Sequence, residues 1–157
     1  MTDDSVSATT VINAPAKAVL AVLADPATHA AIDGTGWVRQ SLNPTPLTAA
    51  GQIFEMSMYH ANHPDGIYQM ANRVQVLHPP NTISWEPGYD AGDGTLSFGG
   101  WIWRYDLSPA GPSTTTVTLS YDWSAVPDPI REHIGFPPFP PDHLGNSLAH
   151  LAELIVA

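Results

Sequence analysis

The chain predicts an α+β fold: an antiparallel sheet of six or seven strands curved around a C-terminal helix, with two short helices after the first strand. Three observations carry this. A strand-like run, Ser7–Asn13, meets Ala14-Pro15 and then the helix-like Ala16–Asp25. The middle of the chain is a series of alternating segments joined by short turns, with no helix-length crossover between them. The last element is an amphipathic helix from His143 to about Ile155, with Leu144, Leu148, Leu151 and Ile155 on one stripe.

Taken in order, Pro15 fixes φ for the first helical turn where no amide donor is needed. Val19, Val22 and Leu23 then share a face, and Asp25-Pro26 ends the helix. Pro26–Asp33 reads as a second short helix, closed by Gly34 and Gly36. Strands are expected over Trp37–Leu42, Gly51–His60, Ile67–Leu77 and Thr82–Pro87. The stretch Tyr89–Gly100, glycine-rich, reads as a mobile loop. Trp101–Leu107 and Thr114–Ala125 are two further strands of clear alternation. Pro127–Asp142 is rich in proline and reads as an ordered loop, with Asp142 as the N-cap of the final helix.

Alternation also selects a face. Phe54, Met56, Met58 and His60 fall on one side of their strand, and Tyr68, Met70, Asn72, Val74 and Val76 on one side of the next. Trp85 joins them, followed by Trp101, Trp103 and Tyr105, then Tyr121 and Trp123. Glu55, Arg104 and Asp106 lie on the opposite, wet face. A twisted sheet of this size curls, and the only long amphipathic element left to cover its concave side is the final helix.

The opening "I-x-A-P-x-x-x-V-x-x-V-L-A-D" (Ile12 to Asp25), followed by strands and a final helix, resembles the START-like (SRPBCC) superfamily, and within it the polyketide cyclase/dehydratase-like branch. The match in element order covers nearly the whole chain. It implies a helix-grip fold with an apolar cavity between sheet and helix, holding a small hydrophobic or aromatic molecule without metal or nucleotide cofactor. The family's final helix is longer, and here Pro137, Pro138, Pro140 and Pro141 bar its N-terminal extension. Phe136 and Phe139 are therefore expected at the cavity wall or mouth.

Under that resemblance, Phe54, Met56, Met58, Tyr68, Met70, Trp85, Trp101, Trp103, Trp123 and His150 are candidate ligand-binding residues. Aromatic and methionine side chains make an adaptable apolar wall with polar tips. His60, Asn72, Tyr105 and Tyr121 are the candidate catalytic residues, orienting or protonating a carbonyl while the loop of residues 89–100 gates entry. Histidine suits proton transfer near neutral pH, and a polar group on an apolar face needs a reason to be there. Two other readings stay open: a non-catalytic carrier or sensor of a hydrophobic ligand, and a co-chaperone-like regulator presenting Phe136 and Phe139 to a protein partner.

Composition closes off other classes. The 157 residues fit one domain spanning 1–157, with 5 Lys plus Arg against 15 Asp plus Glu, a net charge of −10. That acidity disfavours nucleic acid and anionic membrane surfaces. With no cysteine, thiolate zinc and thiol nucleophiles are excluded. No metal site is expected: His60-x-x-His63-x-Asp65 matches no recognised spacing, and His29/Asp33 and His143/His150 are spacings of ordinary helix faces. No nucleophile elbow or phosphate-binding glycine loop occurs. The N-terminus lacks a leader pattern and no segment approaches membrane length, so a cytoplasmic monomer or homodimer is expected.

Overall fold

Alternating small polar and aliphatic residues make Ser5–Ile12 the first strand, β1, of the computed structural model, which describes residues 5–33, 38–42, 46–59, 67–78, 81–90, 96–133 and 142–156. Helix α1 (Ala16–Leu23) follows, with Pro15 in extended conformation as its N-cap. A 3-10 turn at Pro26–Thr28 leads into the one-turn helix α2 (His29–Ile32); the Asp25 carboxylate caps it by accepting from the Ala27 amide at 3.0 Å.

The strands are β2 (Val38–Ser41), β3 (Ile53–Tyr59), β4 (Ile67–His78), β5 (Thr82–Asp90), β6 (Leu96–Phe98), β7 (Ile102–Gly111) and β8 (Thr114–Asp122). They form one antiparallel sheet in the order β1-β8-β7-β5-β4-β3-β2, with β6 pairing β5 off that path. Most sequence neighbours are therefore sheet neighbours; the exceptions are β1, which reaches across to β8, and β7, which pairs with β5 past β6.

Helix α4 (His143–Val156) packs against β1, β8 and α2. Leu144, Leu148 and Leu151 are buried, as the leucine stripe predicts, and meet Val19, Leu23, Ile83, Leu107, Val117 and Leu119 in one core. Full burial of each such side chain stabilises by roughly 1.5–3 kcal/mol. Two polar ties fix the helices to the sheet and to each other. Thr115 Oγ1 donates to the Ala14 carbonyl at 2.7 Å, and His150 Nδ1 donates to the Ile32 carbonyl at 3.1 Å.

Three local expectations need correction. The stretch Tyr89–Gly100 is not all loop: Gly88–Asp90 pairs with Leu96–Phe98 as a hairpin, with residues 91–95 outside the described ones. Gly88 allows this because a Cβ there would stand 2.6 Å from the Phe98 ring, and the Arg73 guanidinium lies over that ring at 4.2 Å. The proline-rich tail contains helix α3 (Asp128–His133), with Pro129 in its first turn where the missing donor costs nothing. Finally, the β4–β5 register shifts between Val74 and Val76. This bulge turns Leu77, rather than Val76, toward the core.

Candidate functional site

The concave face is built of rings in register. Trp85 stands opposite Trp103, and Trp103 opposite Tyr121, across β5, β7 and β8. The Trp103 and Tyr121 centroids are 4.5 Å apart, and Tyr121 leads on to Trp123 at 5.8 Å. Trp85 lies 6.0 Å from Tyr105 and 5.6 Å from Phe54. Trp101 packs against the Tyr121–Trp123 cluster, and its ring covers Gly99 so closely that a Cβ there would fall 1.9 Å from it. Strand alternation predicts this face, and it is continuous from β3 to β8.

Two buried histidines from the helices meet this wall. His29 of α2 stacks on Trp85 at 5.1 Å and meets Phe54 edge-on at 5.3 Å. Its Nε2–H donates to the Leu23 carbonyl at 2.8 Å. Burial lowers its pKa, opposed in part by that carbonyl and by Asp25. His143, the first residue of α4, meets Trp103 edge-on at 5.3 Å. Burial lowers its pKa as well, while the charges of Asp33 and Asp142 pull the other way.

Asp33 follows α2 directly and faces His143. Its Oδ2 accepts from the Val38 amide at 3.0 Å, which orients the carboxylate. Its Oδ1 lies 3.9 Å from His143 Nε2, and the two side chains are only 8% and 7% exposed. The end of α2 and the start of α4 thus place a carboxylate and an imidazole face to face at the aromatic wall. Tyr105 completes the group: burial, and then the Asp33 charge, hold its hydroxyl protonated far above neutral pH. Burial does the same for Tyr121. Such a set can donate, accept and move a proton in a low-dielectric surrounding.

The sequence-derived candidates fall into distinct places. Phe54, Met56, Tyr105, Tyr121 and Trp123 are buried, and Met58, Trp85 and Trp103 are half-buried against the same cores. Met70 pairs with Met56. Asn72 is buried, and its Nδ2 donates to the Phe54 carbonyl at 3.3 Å, a bond to the neighbouring strand. His150 is directed at the Ile32 carbonyl. Tyr68 pairs with Met58 through its backbone, and its side chain lies outside the described ones. His60, His63, Asp65, Phe136 and Phe139 also lie outside the described residues. Glu55 and Arg104 are on the outer face, where Arg104 pairs with Asp106 at 2.9 Å. Among the described residues, no group of three His, Asp or Glu side chains gathers in metal-binding geometry, and no helix is long and apolar enough to cross a membrane.

Asp33 and His143 escape a reading of the sequence as a pair. Each carries a weak local signal: Asp33 lies four residues after His29, and His143 seven before His150. Their partnership exists only because α2 and α4 abut beneath the sheet.

Comparison with known proteins agrees on the fold. No family model matches the chain. The uncharacterized protein Rv0088 of Mycobacterium tuberculosis strain H37Rv is 28% identical over 121 residues, 77% of this chain and 48% of its own length. The uncharacterized protein MT0096 of strain CDC 1551 matches to the same extent, so the chain spans about half the length of these curated relatives. Among solved structures, protein CV1439 from Chromobacterium violaceum superposes with a TM-score of 0.66 at 20% identity, covering 98% of both chains. Protein NE0264 from Nitrosomonas europaea does so with a TM-score of 0.67 at 15% identity, covering 97% of this chain and 94% of its own. The chain shares their α+β fold.

Proposed function

We propose that this protein holds a small hydrophobic or aromatic molecule between the concave sheet face and α4, as a START-like (SRPBCC) protein would, and performs cyclisation or dehydration chemistry of the polyketide cyclase type on it. One observation carries the reading: the Asp33–His143 pair, almost wholly withdrawn from water and set against the Trp103 ring. Withdrawing an imidazole and a carboxylate from solvent costs several kcal/mol that apolar residues in the same space would not cost. Perturbed, buried acid–base pairs of this kind concentrate at functional sites.

The chemistry follows from the protonation states. A histidine whose pKa is lowered is neutral at physiological pH, the form that accepts a proton. Taken from the carbon beside a ligand carbonyl, that proton moves to His143 Nε2, and the electron pair moves onto the carbonyl oxygen. The Asp33 carboxylate stabilises the imidazolium so formed. Tyr105, kept protonated, supplies a hydrogen-bond donor to an oxygen in the same region. The aromatic wall holds the ligand in reactive shape, and positioning alone lowers such barriers by several kcal/mol.

The carrier reading has its own support. Tyr105 and Tyr121 keep their protons far above neutral pH and so orient a ligand without exchanging protons with it. Native mass spectrometry of the purified protein, with organic extraction of what it carries, tests both. A co-purifying polycyclic or acyl compound that wild type converts and His143→Gln does not convert supports the enzyme. A compound returned unchanged by both favours the carrier. A protein that carries nothing, and binds no aromatic or acyl ligand offered, overturns the hydrophobic-ligand reading.

A further inference from the structure

The two borders of the sheet are built differently. At one, β2 is four residues long, contains Arg39, and slips register between Val38 and Gln40. A short strand, a charge and a bulge are the devices by which sheet edges avoid pairing with other chains. At the other border, β1 runs for eight residues, Ser5–Ile12, in uninterrupted register with β8. It holds no charged residue, no proline and no bulge, and no strand among the described residues pairs with its far side. Ser5, Ser7, Thr9 and Val11 are exposed along it, Val11 by 58%.

The direction of its backbone groups follows from the register. The Leu107 amide donates to the Asn81 carbonyl at 2.7 Å, on the β5 side, so Leu107 and Val117 face each other without exchanging hydrogen bonds. Pro109, in the same phase, has no amide to exchange. Val117 therefore turns its backbone groups to Thr10 of β1. By alternation Val6, Ala8 and Thr10 bond β8, whereas the amides and carbonyls of Ser5, Ser7, Thr9 and Val11 point out of the sheet. Charge points to the occupant. The protein carries a net −10, yet neither β1 nor the adjoining Thr114–Tyr121 of β8 holds an Asp, Glu, Lys, Arg or His. Two copies can meet along this border without opposing their acidic surfaces. An antiparallel approach also sends the two Asp122 carboxylates, each opposite Ser5, to opposite ends of the contact.

We infer that a second copy of this chain pairs its β1 antiparallel with β1, joining two sheets into one across a two-fold axis. The alternate outward residues are self-complementary for this. An axis beside Ala8 sets Ser7 opposite the partner's Thr9 and Ser5 opposite the partner's Val11, with about eight backbone hydrogen bonds across it. An edge-to-edge contact of one strand is small beside the roughly 1,000 Å² of lasting interfaces, so the dimer forms with rising concentration. This pairing needs no ligand and is independent of the function proposed above.

Sedimentation velocity over a rising series of concentrations, joined to amide exchange followed by NMR, tests it. The dimer fraction should grow with concentration, and the Ser7, Thr9 and Val11 amides should slow in step with it by at least about tenfold. The amides of Val6, Ala8 and Thr10 should be protected throughout. Ser7→Pro removes an outward donor without touching the β8 ladder and should abolish the dimer. Thr9→Lys, which puts a charge on the edge, serves the same purpose if the first variant loses the native far-UV spectrum. A chain that stays monomeric overturns the inference, whatever other extended segment its edge accepts. So does a dimer whose Ser7, Thr9 and Val11 amides stay open, or one that a folded variant leaves intact.

Discussion

His29 and His143 occupy matching positions in two neighbouring regions and end up with different roles. Both are buried, both meet a tryptophan of the concave face, and burial lowers the pKa of both. At the α1–α2 junction, His29 spends its Nε2–H on a neutral backbone carbonyl, Leu23. At the α2–α4 junction, His143 faces the carboxylate of Asp33 across a gap wider than a hydrogen bond. The first arrangement closes a helix end and is complete in itself. The second stores a charge beside a movable proton. Under the proposed function, what separates a structural histidine from a chemical one here is the partner, not the degree of burial.

The largest break in that comparison is expected from His29→Ala. It leaves the Leu23 carbonyl without its donor, removes the stack on Trp85 and opens a void, for a loss of about 3 kcal/mol. The urea unfolding midpoint measures it, and a loss under about 1 kcal/mol would show that the junction does not depend on His29.

Acid should act on both histidines in the same direction. Each has a folded pKa below its unfolded value of about 6.5, so the unfolded chain takes up protons first as the pH falls. Their contribution to stability is complete above about pH 6.5 and is lost as the pH falls from there through the folded values. Each histidine contributes up to about 1.4 kcal/mol per pH unit in that window. His143→Asn should flatten the profile of unfolding free energy against pH by up to one proton. An unchanged slope would mean that His143 titrates normally in the folded protein.

A smaller effect is expected where the charge pair is replaced as a unit. The double variant Asp33→Asn/His143→Asn removes both ionisable partners together and should alter stability by no more than about 1 kcal/mol, in either direction. Loss of several kcal/mol would instead make the pair a structural fixture like His29. The smallest effect belongs to Arg104→Ala, which breaks an ion pair whose members are nearly half exposed on the outer face. It should change stability by about 0.5 kcal/mol or less in thermal unfolding.

These contrasts mark what a sequence reveals. The face of each strand was legible because a period of two is hard to mistake over long runs such as Trp103–Tyr105–Leu107 and Val117–Leu119–Tyr121. The leucine stripe of α4 was legible for the same reason. The bulge between Val74 and Val76 was not, since one extra residue reverses the phase without any mark in composition. Gly99 reads as loop and Gly88 falls between the expected strand and that loop, yet each makes room for an aromatic ring. The wall of the site was therefore visible, whereas its polar centre was not. Asn72, singled out as a polar residue on an apolar face, bonds a neighbouring strand's backbone. Asp33 and His143 come from opposite ends of the chain and meet through helix packing, which no local pattern encodes.

The strand order has a consequence for how the molecule comes into being on the ribosome. Strand β1 is made before the other strands and finds its place in the sheet only beside β8, and α2 meets α4 only once α4 has emerged. Strands β2 to β8 can pair as they emerge, β7 reaching β5 past the β5–β6 hairpin, while β1 waits with its apolar residues uncovered. Contacts of such long sequence separation slow folding and lengthen exposure to aggregation. The Asp33–His143 pair is thus assembled only after α4 is made, so a nascent chain stalled before α4 holds the aromatic wall without this buried pair.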